Sequence, residues 1–400
     1  MWRCTMHFLL HSALDVSPWS VLFWTCAAAI GYAYVGYPVL LWVATRFKKP
    51  HAPAPSTVPT LTLLICAHNE AANIGRKLLQ CLALNYPKEK LQILVASDGS
   101  TDETDDIVRF FVSEGVELIS IPQQAGKTNA QNIAMRSATG EVVVFSDATT
   151  EYHPDALQYL AGVFADPNVG AVSGRYTYCD LSSSSVGEGS RAYAGYDNQI
   201  RQMQSAAGSL TGCCGCIYAV KRSLYTPLDP GIISDLVEPM HVLLQGAKVK
   251  FEPRALARED VGHNAGKEFS MRVRVIARAL TGLASVRQLL APWKHPWIAL
   301  QLFSHKLLRY AVPLFLIGML ASSWMLRTST VYAVILALQL AFYAIAALAA
   351  MVPALQKKKG LSLPMYFCVM NAAALWGTVK FLCGQRYAVW KPQRETSHAG

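Results

Sequence analysis

The chain opens on an apolar run, then alternates, then turns apolar again. Val16 to Thr45 contains no Asp, Glu, Lys or Arg, enough to cross a bilayer as a helix with length to spare. Arg46, Lys48 and Lys49 follow at once, so the next segment is expected in the cytoplasm. A cleaved signal peptide is the competing reading. The apolar stretch runs well past Ala27 to Ala29 and only Arg3 gives a firm positive charge before it, which favours an uncleaved anchor. His51 to Pro59, rich in Pro and Ala, reads as a linker.

From Leu61 the pattern switches to LTLLIC, a helical stretch from Glu70 to Leu84, LQILVAS, a second helical stretch from Thr101 to Ser113, VELISI and later EVVVFS. Near-continuous apolar runs separated by helices of crossover length predict parallel strands covered on both faces. The expected fold class is α/β, a doubly wound, mostly parallel sheet. Thr101 and Asp102 sit where N-caps belong, with Asp105 and Asp106 in the first helical turn. Beyond the sheet, Trp293 to Leu307 mixes leucines with aromatic, His and Lys residues and predicts an interfacial helix. Tyr310 to Leu326 and Val331 to Ala354 predict spans. Leu361 to Cys383, containing Asn371 and Lys380, reads as spanning or re-entrant. The expected layout is an anchor over 1–50, a linker over 51–60 and a cytoplasmic catalytic domain over 61–290. An interfacial helix over 291–309, membrane helices over 310–385 and a basic tail over 386–400 complete it.

Composition narrows the class. With 52% hydrophobic and 16% charged residues, the chain is too apolar for a purely soluble enzyme. Its formal charge of +10 fits anionic lipid, a phosphorylated substrate or nucleic acid. The clusters Arg46 to Lys49, Arg272 to Arg278 and Lys357 to Lys359 lie beside apolar segments or the carboxylate region, not along an aromatic-interleaved stripe. That favours the membrane edge and phosphate, and no nucleic-acid partner is expected. Ten scattered cysteines make no disulfide framework, which points to a reducing compartment. Cys213 and Cys216 form a C-x-x-C without a second pair, so neither zinc nor redox chemistry is expected.

Three carboxylates, Asp98, Asp147 and Asp235, each follow an apolar run and are expected at the sheet edge where open α/β folds bind ligands. Gly99 after Asp98 permits close approach of a ligand ring. The GKT at Gly126 to Thr128 suggests a phosphate-cradling loop, but the required earlier glycine is replaced by Ile121, which rules out a P-loop.

Five motifs, AHNE at Ala67 to Glu70, SDGSTDET at Ser97 to Thr104, GKTNAQN at Gly126 to Asn132, SDATT at Ser146 to Thr150 and SDLVEP at Ser234 to Pro239, fall in the order and approximate spacing of one family. Over about half its length the chain resembles the membrane-associated inverting glycosyltransferases of family 2. The resemblance implies a GT-A-like nucleotide-sugar fold. His68, Glu70, Asp98 and Gly99 would meet base or ribose, and Lys127 and Arg274 would serve the diphosphate. Asp147 would meet ribose and a divalent cation, Mg2+ or Mn2+, and Asp235 would be the general base with Glu238 as alternate. Each has a plainer alternative: a helix cap for Asp98 or Asp235, a solvated loop for His68 and Glu70, a surface lysine for Lys127.

Two departures matter. Relatives with Asp-x-Asp carry a second acid where this chain has Thr149; Glu151 is a possible replacement, or a helix-start residue. The Gln-x-x-Arg-Trp of processive relatives is missing, leaving Arg272, Arg274 and Arg278, one for the phosphate or all in a basic interfacial helix. The expected function is transfer from a uridine-type nucleotide sugar to a lipid-linked or polysaccharide acceptor at the inner bacterial membrane. A processive synthase and a catalytically silent nucleotide-binding scaffold are the alternatives.

Overall fold

The computed structural model describes residues 17–48, 58–179, 185–260, 265–352 and 362–387. Its core is a sheet built from β1 (Leu61–Ala67), β2 (Leu91–Asp98), β3 (Val116–Ile121), β4 (Val142–Asp147), β5 (Glu151–Tyr152), β6 (Val169–Cys179), β7 (Ile217–Lys221) and β8 (Lys248–Asp260), in the order β3-β2-β1-β4-β7-β6-β8-β5. The first four strands are parallel, as the apolar runs predict. β7 then runs antiparallel to β4 and β6, and β6 and β8 are parallel.

Period-2 geometry sends alternate side chains of β1 to opposite faces. Leu61, Leu63 and Ile65 join one core with α2 (Ala71–Leu82), α3 (Thr104–Phe110) and α5 (Ala156–Val163). Leu64 and Cys66 join the other with α4 (Lys127–Ala134) and α7 (Ser234–Leu244). Covering both faces leaves the carboxyl ends of β1, β2 and β4 as an open edge.

Two predicted starts move. α3 begins at Thr104, and Asp102 caps it from outside, accepting from Thr104 N at 3.0 Å while also taking Ala71 N of α2 at 3.1 Å. One carboxylate thereby ties two helix starts together. Glu151 is not at a helix start: it pairs in β5 with β8, and its carboxylate meets Arg76 at 3.4 Å.

Among the described residues, four helices are long and apolar enough to cross a membrane: α1 (Pro18–Thr45), α9 (Pro296–Met325), α10 (Thr330–Met351) and α11 within Leu363–Leu382. The predicted interfacial stretch and the first C-terminal span are one continuous helix, α9, carrying a π turn at Phe303–Leu307. Between the sheet and these apolar helices lie α6 (Ser185–Ala207) and α8 (Ala265–Ser285), with α8 packed on α11 and α6 on α1. Arg3, Lys357 to Lys359, Trp390 and Arg394 lie outside the described residues.

Gly99 closes β2 at φ +64°, its N–H on Ile121 O at 2.9 Å; an added Cβ would come within 2.3 Å of Gln124 N. Gly99→Ala is expected to cost about 1–3 kcal/mol of stability, read as a lowered Tm of the detergent-solubilised protein. An unchanged Tm would show that this junction yields freely.

Candidate active site

The edge assembles six of the seven positions singled out for nucleotide-sugar contact. Asp98 ends β2, and its two carboxylate oxygens accept from Ala125 N at 2.9 Å and Gly126 N at 2.7 Å. Gly126 holds φ +99° at the start of α4, a conformation that favours glycine. Asp98 therefore fixes the entry into α4 and with it Lys127, the first residue of that helix. His68 Nδ1 lies 2.7 Å from Asp98 O, and Glu70 caps the start of α2, its N–H on Thr104 Oγ1 at 2.8 Å and its carboxylate on Asn73 at 2.9 Å. Both side chains are buried, so neither is a solvated loop residue.

Lys127 forms an ion pair with Asp147 and donates to Gly215 O at 3.2 Å. Burial lowers the lysine's proton affinity, but the Asp147 carboxylate outweighs it and the net shift is upward. The ammonium is thus held charged at the mouth of β4.

Asp235 stands in the first turn of α7, past the N-cap position at Ile233. Its backbone O accepts from Cys213 N at 2.8 Å. Its carboxylate lies against Gly215, where a Cβ would come within 2.7 Å of Oδ2. Burial raises its pKa; Lys127, Arg201 and Lys306 oppose that and Asp147 reinforces it, leaving it above the ordinary value. A carboxylate whose proton affinity is raised is suited to accept a proton. Gly215 thus touches both halves of the site: its carbonyl takes Lys127 and its bare Cα makes room for Asp235.

Glu238, one turn on, is fully buried, accepts from Thr226 N at 3.1 Å and is pushed up to about 8 by burial. It sits too deep for a substrate hydroxyl. Among the arginines, Arg274 is partly buried, while Arg278 reaches the site: Nη2 donates to Ile232 O at 2.6 Å and Thr128 Oγ1 at 3.1 Å, and Asp235 acts on its charge. Arg278 binds α8 to the start of α7 and to α4. Arg272 is taken by Glu268 at 2.7 Å.

Sequence reasoning missed Arg201 and Lys306. Arg201 carried a readable signal, its (i, i+4) partner Asp197, paired at 2.7 Å; Lys306 lies in the stretch read as an interfacial helix, which accounts for it without a site. Cys213 and Cys216 face opposite cores, so they form neither a redox pair nor a zinc half-site.

No group of three or more His, Cys, Asp and Glu that could hold a metal occurs among the described residues. Asp98 is engaged by two N–H groups and Glu151 by Arg76, so the acid that could hold a cation at the mouth of β4 is Asp147, whose second oxygen is not taken by Lys127. That donor set fits a Mg2+- or Mn2+-type ion only with substrate phosphates completing its shell.

Residues 62–227 match the family described as Glycosyl transferase family 2. The chain is 30% identical over 221 residues to a poly-β-1,6-N-acetyl-D-glucosamine synthase of Staphylococcus aureus, covering 54% of this chain and 53% of that protein. It is 29% identical over 223 residues to the synthase of the same name from Staphylococcus epidermidis, with 54% of each covered. The chain spans about half the length of the curated relatives it matches. A mannosyltransferase from Pyrobaculum calidifontis, solved in complex with GDP-Man and Mn2+, superposes with a TM-score of 0.69 at 25% identity over 91% of this chain and 99% of that one.

The burial of Glu238 gives a pH signature. Between the ordinary 4.5 and about 8 the unfolded chain releases this proton while the folded chain keeps it. The unfolded state then binds fewer protons, so this carboxyl makes stability fall as pH rises through that window. Glu238→Gln preserves the neutral, hydrogen-bonding shape and is expected to shrink the Tm difference between pH 5 and pH 8. An undiminished difference would show that Glu238 is ionised in the fold.

Proposed function

Because residues 62–227 match the model of Glycosyl transferase family 2, we propose that this protein is a membrane-anchored, inverting transferase that moves a sugar from a nucleoside-diphosphate donor to an acceptor hydroxyl. The observation that carries the reading is Asp235, buried enough to raise its proton affinity and set against Gly215 beside the Lys127–Asp147 pair. The acceptor oxygen attacks the anomeric carbon as its proton passes to Asp235. The bond from that carbon to the diphosphate breaks with its electron pair leaving on the phosphate oxygen. One base and one direct displacement give inversion.

Lys127 supplies a positive charge to the departing diphosphate, exchanging Asp147 for phosphate oxygens, with Arg278 behind it. When bound, a divalent cation held by Asp147 and the donor's phosphates would offset further negative charge. The remaining lone pairs of the Asp98 carboxylate, with Gly99 beside them, are assigned to the base of a uridine-type donor. A guanosine-type donor is the rival, since the Pyrobaculum enzyme was solved with GDP-Man. The acceptor is assigned as lipid-linked or polysaccharide, at the cytoplasmic face of the inner membrane.

The synthase names of the staphylococcal relatives favour a second reading, repeated addition to a growing polymer. The missing Gln and Trp of the processive motif count against it. A silent scaffold would have no use for an acid of raised proton affinity in the cleft.

Membranes incubated with a panel of labelled nucleotide sugars should yield one added sugar; a long product would select the polymerase and no product the scaffold. Asp235→Asn should lower transfer by about 10²-fold or more while nucleotide affinity stays within a few fold, and unchanged turnover removes Asp235 from the role of base. Gly215→Ala, which crowds the same carboxylate, should lower turnover by about tenfold. EDTA should suppress nucleotide affinity as well as turnover; full binding and activity in EDTA would exclude the cation.

A further inference from the structure

The helix α9 is apolar enough to cross a bilayer, yet His305, Lys306 and Arg309 fall within little more than one of its turns. Ionisable groups in such segments are costly and are kept where they have a partner or a task. His305 has a partner: its Nε2 lies 3.3 Å from Asp197 Oδ1, on the carboxylate that also holds Arg201. Lys306 and Arg309 have neither an ion pair nor a hydrogen bond among the described residues.

Both are partly buried rather than turned out to lipid or water. The Lys306 charge reaches Asp235 as well as Asp197. The Arg309 guanidinium is ringed by Tyr34, Tyr193 and Tyr196 at 5.6, 5.5 and 5.3 Å from their centroids. Snorkelling to the bilayer surface would carry these heads away from the protein, whereas here Arg309 is held among tyrosines of α1 and α6 and Lys306 is within electrostatic reach of Asp197 and Asp235. Two cations with no ion-paired or hydrogen-bonded carboxylate, sharing only the more distant charge of Asp197 and with Lys306 also within electrostatic reach of the candidate base, describe a place waiting for an anion.

We propose that Lys306 and Arg309 form a subsite for the phosphate of a membrane-lipid acceptor, with the tyrosine ring of Tyr34, Tyr193 and Tyr196 lining its approach. This rests on the transferase reading above and names its acceptor class. A guanidinium and an ammonium match phosphate oxygens by charge-assisted hydrogen bonds. The donor diphosphate is assigned to Lys127 on the sheet side of Asp235, so an anion held by α9 enters from the bilayer. An acceptor held there by its phosphate presents its hydroxyl to Asp235 without leaving the membrane. No bond chemistry is added.

The test uses the full chain in a non-ionic detergent. Binding is measured for three probes, a long-chain alkyl phosphate, the matching alcohol and inorganic diphosphate, with nucleoside-diphosphate binding followed in parallel. The alkyl phosphate is expected to bind at least about tenfold more tightly than the alcohol, and Lys306→Gln and Arg309→Gln each to remove about tenfold. Arg309→Lys should recover part of the loss, and nucleoside-diphosphate affinity should stay within twofold, which also certifies folding. Equal binding of alkyl phosphate and alcohol, or variants that keep the preference, overturns the proposal. So does inorganic diphosphate that binds as tightly as the alkyl phosphate with the same sensitivity to both variants, because the site would then serve the leaving group. Loss of nucleoside-diphosphate binding in the unmodified protein, with the phosphate preference intact, would instead sink the transferase reading and leave the subsite standing.

Discussion

The Lys127–Asp147 ion pair is the contact around which the open edge of the sheet is organised. Its side chains are 20% and 26% exposed, so each charge is largely out of water and would be costly alone. The pair neutralises both. In the transfer proposed above, a nucleoside diphosphate would offer Lys127 an alternative anion and, with a cation, offer Asp147 an alternative positive charge. Two charges are thereby held in place at low net charge, to be exchanged rather than created.

That pair depends on Asp98. By accepting two backbone N–H groups, Asp98 stabilises the sharp entry at Gly126, and α4 starts where Lys127 can reach across to β4 and to Gly215. The site's first carboxylate thus has a conformational task that precedes any contact with a base. The Asp102 and Asn69 contacts do the same for neighbouring loops: Asn69, itself held at φ +52°, accepts at Oδ1 from Thr101 N at 2.8 Å. A rigid rim follows from short side chains used as backbone caps.

The parallel half of the sheet was legible because LTLLIC, LQILVAS, VELISI and EVVVFS are buried on both faces, and apolar runs bounded by helices have few other solutions. The return strands β6 to β8 were not, since an antiparallel insertion depends on long-range pairing that no local pattern encodes. The placement of Asp98, Lys127, Asp147 and Asp235 at one edge follows from the strand ends. Arg278 could not be told from Arg274, because both lie on one face of α8 and only packing against α4 and α7 sets their depth. Lys306 was hidden for another reason: within Trp293 to Leu307, read as an interfacial helix, a lysine is expected at the bilayer surface, and only tertiary contacts show that it meets protein.

Asp235 and Glu238 show how depth, rather than residue type, assigns the work. They lie one turn apart on α7, both acids with raised proton affinity. Glu238 is sealed among buried side chains with Thr226 N on one oxygen, so its proton has no route to a substrate and its burial is purely a cost to the fold. Asp235, one turn nearer the edge, keeps a face in the cleft because Gly215 supplies no side chain to cover it. The same desolvation that makes Glu238 a liability would make Asp235 the better base in the proposed transfer, and the bare Cα of Gly215 leaves room for its carboxylate.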